Sequence, residues 1–224
     1  NVAGSTLSRE ATYTMLLGAG PEIAVASTKA YTAQVALQAV LAKALGERLG
    51  NKEAKNWDLR KDLAMAAEGI QQLVDGKDKY LVKSRNAFYI GRGMDYAVAL
   101  EAALKLKEVS YIQTEGFAAA ELKHGTISLI EKGTPVVALI NDPVTADLTR
   151  GNIQEVVSRG ASVIKIVGKD FAEDGDDIVL PEINYYMSAL LTVVPAQLLA
   201  YYASKDKGLD VDKPRNLAKS VTVE

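Results

Sequence analysis

The sequence predicts an α/β fold, a three-layer αβα sandwich on a parallel sheet. Two observations carry this expectation. Short apolar runs recur along the chain, each stopped by a turn signal, with helical patterns between them. The runs are almost continuously apolar, as strands covered on both faces are.

The elements follow in order. Residues 1–20 are polar and rich in short side chains, with Gly4-Ser5-Thr6 and Gly18-Ala19-Gly20-Pro21 as turn signals. Ser27 and Thr28 then precede a long helix, in which Tyr31, Val35, Val40, Leu41, Leu45 and Leu49 recur at roughly helical spacing and Gly50 closes the pattern. A second helix is expected over 53–74, with Trp57, Leu63, Ile70 and Leu73 as its stripe and Gly76 as its stop. The first strand, Ala87-Phe88-Tyr89-Ile90, is stopped by Gly91-Arg92-Gly93, and a helix follows over 95–111. The second, Pro135-Val136-Val137-Ala138-Leu139-Ile140, ends at Asn141-Asp142-Pro143, and a helix runs on to Arg159-Gly160. The third, Ser162-Val163-Ile164-Lys165-Ile166-Val167, ends at Gly168. The fourth, Asp177-Ile178-Val179-Leu180, precedes a last helix over 185–207. Residues 209–224 are polar, contain Pro214, and read on composition alone as a loose terminus.

Composition narrows the function classes. The 224 residues suit one or two domains, with 48% hydrophobic and 24% charged residues. Cysteine is absent, which removes disulfides, thiolate metal sites and a cysteine nucleophile. The single histidine, His124, excludes a multi-histidine metal site. A net charge of 26 − 28 = −2 leaves no basic excess for nucleic acid. No uninterrupted apolar run reaches the ~18 residues of a membrane span, so no membrane partner is expected. No signal peptide is recognisable, and a first residue of Asn reads as the start of a fragment.

Ligands in parallel sheets sit beyond the carboxyl ends of the strands, so the residues there carry the search. The helix after Gly93 is apolar around most of its circumference, which marks it as buried. Glu101, Lys105 and Glu108 nevertheless share one narrow stripe of it, at ~100° per residue. The stripe is either a solvated row of ion pairs or an acid/base pair held at a cleft, where a carboxylate beside an ammonium stays ionised. His124, between Lys123 and Gly125 at a helix end, is either incidental or a proton shuttle near neutral pH. Gly91-Arg92-Gly93 opens a helix and admits either an anion at the helix N–H groups or merely a tight turn. Ser27-Thr28-Lys29 offers two hydroxyls and a cation, or an N-cap. Lys219 is an ordinary exposed lysine unless the tail docks; in a partly desolvated pocket it can form a Schiff base with a carbonyl.

Several segments together resemble the isomerase part of the glucosamine-6-phosphate synthases (glutamine–fructose-6-phosphate aminotransferases, isomerising). They are Val25-Ala26-Ser27-Thr28-Lys29-Ala30, Gly91-Arg92-Gly93, Glu101-Ala102-Ala103-Leu104-Lys105-Leu106-Lys107-Glu108, Glu121-Leu122-Lys123-His124-Gly125 and the tail 212–224. The helix and the tail are specific; Gly-Arg-Gly is not. The resemblance implies the sugar-isomerase (SIS) fold, a five-stranded parallel sheet between helices. It also implies a division of the chain. Residues 1–75 would be the remainder of a first lobe with connecting helices, 76–208 a complete second lobe, and 209–224 a catalytic tail. The glutaminase domain of the full-length enzyme, and a phosphate-gripping loop upstream of Asn1, would be missing.

By the same resemblance, Glu108 moves the proton between the first two sugar carbons and Lys105 accompanies it. His124, from the neighbouring subunit of a homodimer, assists ring opening, and Lys219 forms the Schiff base. Val25, Ser27 and Ala218 contact the sugar. The substrate implied is fructose 6-phosphate, the setting cytoplasmic, and no metal or organic cofactor is called for. Ala120 and Thr126 depart from the pattern, which has Gly and Pro there. The fragment alone is expected to be weakly active or inactive. Two other readings share the fold: a phosphosugar-binding regulatory module, and a different phosphosugar isomerase or deglycase.

Overall fold

The computed structural model describes residues 4–76 and 84–218. Strands β1 (Asn86–Gly91), β2 (Gln113–Ala118), β3 (Pro135–Ile140), β4 (Ser162–Gly168) and β5 (Ile178–Leu180) form one parallel sheet in the order β2-β1-β3-β4-β5. Side chains alternate between its faces. Ala87, Tyr89, Val137, Leu139 and Ile166 enter one core, while Phe88, Ile90, Val136, Ala138 and Ile140 enter the other. Helices α5 (Met94–Ser110) and α7 (Ser188–Asp206) cover the first face, and α6 (Ala146–Val157) covers the second. Two buried faces explain why β1 and β3 are apolar at nearly every position.

The four apolar runs all form strands, and β2 is the element that the residue pattern alone missed. Its sequence, Gln113-Thr114-Glu115-Gly116-Phe117-Ala118, is largely polar because β2 is an edge strand with Gln113 and Glu115 exposed. Gly116 is required by proximity: a Cβ there would lie 2.7 Å from the Ala99 carbonyl oxygen on α5. The helix expected over 53–74 is two helices, α3 (Lys52–Asn56) and α4 (Leu59–Asp75). Asp58 separates them, its carboxylate accepting the Lys61 N–H at 3.1 Å as a new N-cap.

Helices α2 (Lys29–Arg48) and α4 lie outside α7, where Val35, Ala36 and Ala39 join Leu59, Ala66, Met187 and Leu190. A short α1 (Thr6–Glu10), capped by Ser5, precedes them. Residues 185–206 are long and apolar enough to cross a membrane, although polar residues such as Thr192 and Gln197 interrupt the run. In the fold, 78% of that window is buried, so its apolarity serves the core between α5, α2 and the sheet.

Residues 209–218 are not a loose end. Pro214 is buried, the Arg215 N–H donates to the Tyr111 hydroxyl at 2.7 Å, and the Arg215 guanidinium lies 4.2 Å from the centre of the Tyr111 ring.

Candidate active site

The polar stripe of α5 is a triad around a buried lysine, which removes the solvated-row reading. Lys105 is 4% exposed, and its Nζ lies 2.6 Å from Glu108 Oε2 and 3.5 Å from Glu101 Oε1. The side chains of Glu101 and Glu108 retain 17% and 20% exposure. Burial raises the Glu101 carboxyl above its ordinary range; Lys105 opposes the shift and the Glu108 charge adds to it. The phenol of Tyr31, reaching in from α2, is raised first by burial and then by Glu101. The triad thus places one ammonium between two partly exposed carboxylates beside an opening.

That opening is a cavity of about 160 Å³ beside Lys105 and Val109. Two distant segments close over it, Ala24, Ala26 and Thr28 from one side and Val211 and Asp212 from the other. They are joined where the Val25 N–H donates to the Asp212 carbonyl at 3.0 Å. The wall from α7 contributes Gln197, whose Nε2 is buried and has no protein partner among the described residues. Sequence reasoning passed over Gln197. Its signal was an amide in the middle of an otherwise apolar helix, where an unpaired donor is costly unless something completes it.

The expected N-cap of α2 is not made by Ser27 or Thr28. Glu22 does this work from outside the helix, accepting the Thr28 N–H at 2.7 Å, the Ala30 N–H at 3.4 Å and the Ser27 hydroxyl at 2.8 Å. A carboxylate at a helix N-terminus is favoured by the helix dipole. It holds half-buried Ser27 and Val25 in the segment that closes the cavity. Ala218 is exposed at the end of the described tail, and Lys219 lies outside the described residues.

Gly91-Arg92-Gly93 is a tight turn and not an open anion cradle. Gly93 has φ +55°, and a Cβ there would collide with the Asp142 carboxylate. Asp142 also accepts the Tyr185 hydroxyl at 3.0 Å. Arg92 is turned away, donating through Nε and a terminal nitrogen to Asn152 Oδ1 at 3.1 and 3.0 Å. Buried Asp95 accepts the Asn141 N–H at 2.7 Å and its Nδ2 at 2.9 Å. The carboxyl ends of β1 and β3 are therefore filled with internal acids.

His124 is exposed, at the end of a 3-10 turn, Leu122–His124, that Leu122 anchors in the second core. The Lys105 cavity borders the first core, and His124 is not among the residues lining it. Within one chain the fold thus brings together Lys105, Glu108 and the Val25–Thr28 and Val211–Asp212 segments, and leaves His124 on the far side. Among the described residues no group of three or more histidine, aspartate or glutamate side chains could hold a metal ion.

Residues 80–204 match the SIS domain family. The chain belongs to this family. Its SIS fold places it beside solved structures of sugar-phosphate enzymes. The C-terminal domain of glucosamine-fructose-6-phosphate aminotransferase from Francisella tularensis superposes with TM-score 0.82 at 32% identity, covering 96% of this chain and 64% of that one. Glucosamine-6-phosphate deaminase from Thermotoga maritima superposes with TM-score 0.61 at 25% identity, covering 90% and 59%. In sequence, the glutamine–fructose-6-phosphate aminotransferases [isomerizing] of Lactiplantibacillus plantarum and Streptococcus pneumoniae are each 63% identical over 231 residues. Those alignments take in all of this SIS chain, which spans 38% of the length of either relative. The matched part is the isomerase region.

Proposed function

We propose that the chain is the isomerase region of an enzyme that makes glucosamine 6-phosphate from fructose 6-phosphate and glutamine-derived ammonia. The observation that carries this reading is buried Lys105, paired with Glu101 and Glu108, in the wall of a cavity closed by segments 24–28 and 211–212. The proposed division is a first-lobe remainder over 1–75, a second lobe over 76–208 and a catalytic tail over 209–224. The glutaminase domain would belong to the longer protein, and the setting would be cytoplasmic.

In the proposed chemistry Lys219 attacks the carbonyl of the open-chain ketose and loses water to give an imine; ammonia then adds to that carbon and displaces the Lys219 amine, leaving the sugar's own imine. The imine acidifies the neighbouring C–H bond. Glu108 takes that proton and returns it to the adjacent carbon, and Lys105, 2.6 Å away, holds the Glu108 carboxyl in place. Val25, Ser27 and Ala218 would contact the sugar. The position of His124, across the sheet from Lys105, supports its delivery to the site of a second copy, and hence a homodimer. A purely sugar-binding regulatory module would not require an ammonium between two carboxylates at its cavity.

Two measurements test the proposal. Fructose 6-phosphate should be trapped on Lys219 by borohydride in the full-length protein, and failure of trapping there overturns the Schiff-base role. Glucosamine 6-phosphate formation with ammonium as donor should be weak or absent for the isolated chain; robust turnover would show that no upstream loop is needed.

A further inference from the structure

A second cavity lies away from the triad, with a volume of about 520 Å³, between α2, α3 and the start of the turn that leads into α7. It is within the size range of small-molecule sites. Its wall is an aromatic corner: the rings of Trp57 and Tyr186 stand 5.8 Å apart, tilted by 54°. The corner is preorganised. The Trp57 indole N–H donates to Asp62 Oδ2 at 2.6 Å, which fixes the ring, and Tyr186 is held by its backbone N–H on Asn184 Oδ1 at 3.0 Å.

Around the corner stand three amides, Asn51, Asn56 and Asn184. Asn51 and Asn184 use Oδ1 to cap their own turns, which leaves their Nδ2 groups without a protein partner among the described residues. The charges are unequal. The Lys43 ammonium is committed, to Glu47 at 2.8 Å and to the Ala54 carbonyl at 2.8 Å. Glu53 makes no ion pair among the described residues and meets only the Tyr186 hydroxyl, at 3.5 Å.

Aromatic faces, amide donors and one uncommitted carboxylate together suit a ligand with an apolar ring face, several hydroxyls and a cation. The spent lysine offers nothing to a phosphate. We propose that this cavity binds an unphosphorylated amino sugar, with its ring against Trp57 and Tyr186 and its ammonium on Glu53. The site is separate from the triad and does not rest on the isomerase reading.

Trp57 is the sole tryptophan of the 224 residues and lines this cavity, so its emission responds to an occupant there. The chain is titrated with glucosamine, glucose and glucosamine 6-phosphate, with binding heats measured in parallel. The proposal expects a saturable change with glucosamine and binding about fivefold weaker for glucose, the size of one surface ion pair. Glucosamine 6-phosphate should bind no better than glucose. Glu53→Gln, an exposed substitution that spares the fold, should bring glucosamine down to the glucose level. Absence of saturation by both readouts, equal binding of the three sugars, or a preference for the phosphorylated one would each overturn it.

Discussion

The Val25 N–H donates to the Asp212 carbonyl at 3.0 Å, so segments near the two ends of the chain meet over Lys105. The cavity exists only while the tail stays down. Tyr111 is the tail's clamp, holding Arg215 by a hydroxyl at 2.7 Å and by its ring face. Tyr111→Phe keeps the ring and removes the hydroxyl. Loss of one hydrogen bond is worth about 1 kcal/mol, so exchange of the Arg215 amide should speed up about fivefold while global stability changes little. Unchanged exchange, read by NMR, would mean that the ring alone holds the tail.

Lys105→Met should remove activity in the full-length protein and should destabilise the chain by about 3 kcal/mol near neutral pH, because two half-buried carboxylates lose their common counter-charge. Burial already raises Glu101, and without Lys105 its carboxyl loses the interaction that opposes that rise. The deficit should therefore shrink as pH falls from 7 towards 5. Urea unfolding of both proteins at the two pH values measures this, and a pH-independent deficit would argue for lost packing alone.

Gly93→Ala should cost more than about 2 kcal/mol, since φ +55° is strained for a side chain and the new Cβ meets Asp142. Thermal unfolding gives the cost. Gly125, with φ +146° and open space around it, offers a comparison for strain without collision.

Asp95 sets a pH dependence of opposite sense to that of ordinary paired acids. Burial pushes its carboxyl up from 3.8 to about 6, with the Asn141 hydrogen bonds opposing and the Asp142 charge adding. The folded state binds the proton more tightly than the unfolded chain. Stability from this group is thus fully present below pH 4 and is lost as pH rises through about 6. The loss amounts to about 3 kcal/mol at one pH unit per 1.36 kcal/mol. Asp95→Asn should flatten that part of the stability profile; identical profiles for the two proteins would refute the assignment.

Much of this was legible in the residues. The runs at 87–90 and 135–140 became β1 and β3 because two-sided burial demands continuous apolarity, and the stripe Glu101, Lys105, Glu108 stood out against a buried helix. β2 was hidden because an edge strand needs little apolar surface. The break at Trp57-Asp58 was hidden because both sides of it are helical in pattern.

The sequence by itself determined the strand–helix alternation, the cores and the residue types at the triad, since periodicity and composition are local properties. Only the tertiary structure decided that Lys105 is buried between its two acids, that Glu22 and not Ser27 caps α2, that Asp142 fills the Gly93 turn, and that the tail docks. Each of these joins residues far apart in the chain, and burial and hydrogen-bond partners are set by such pairings.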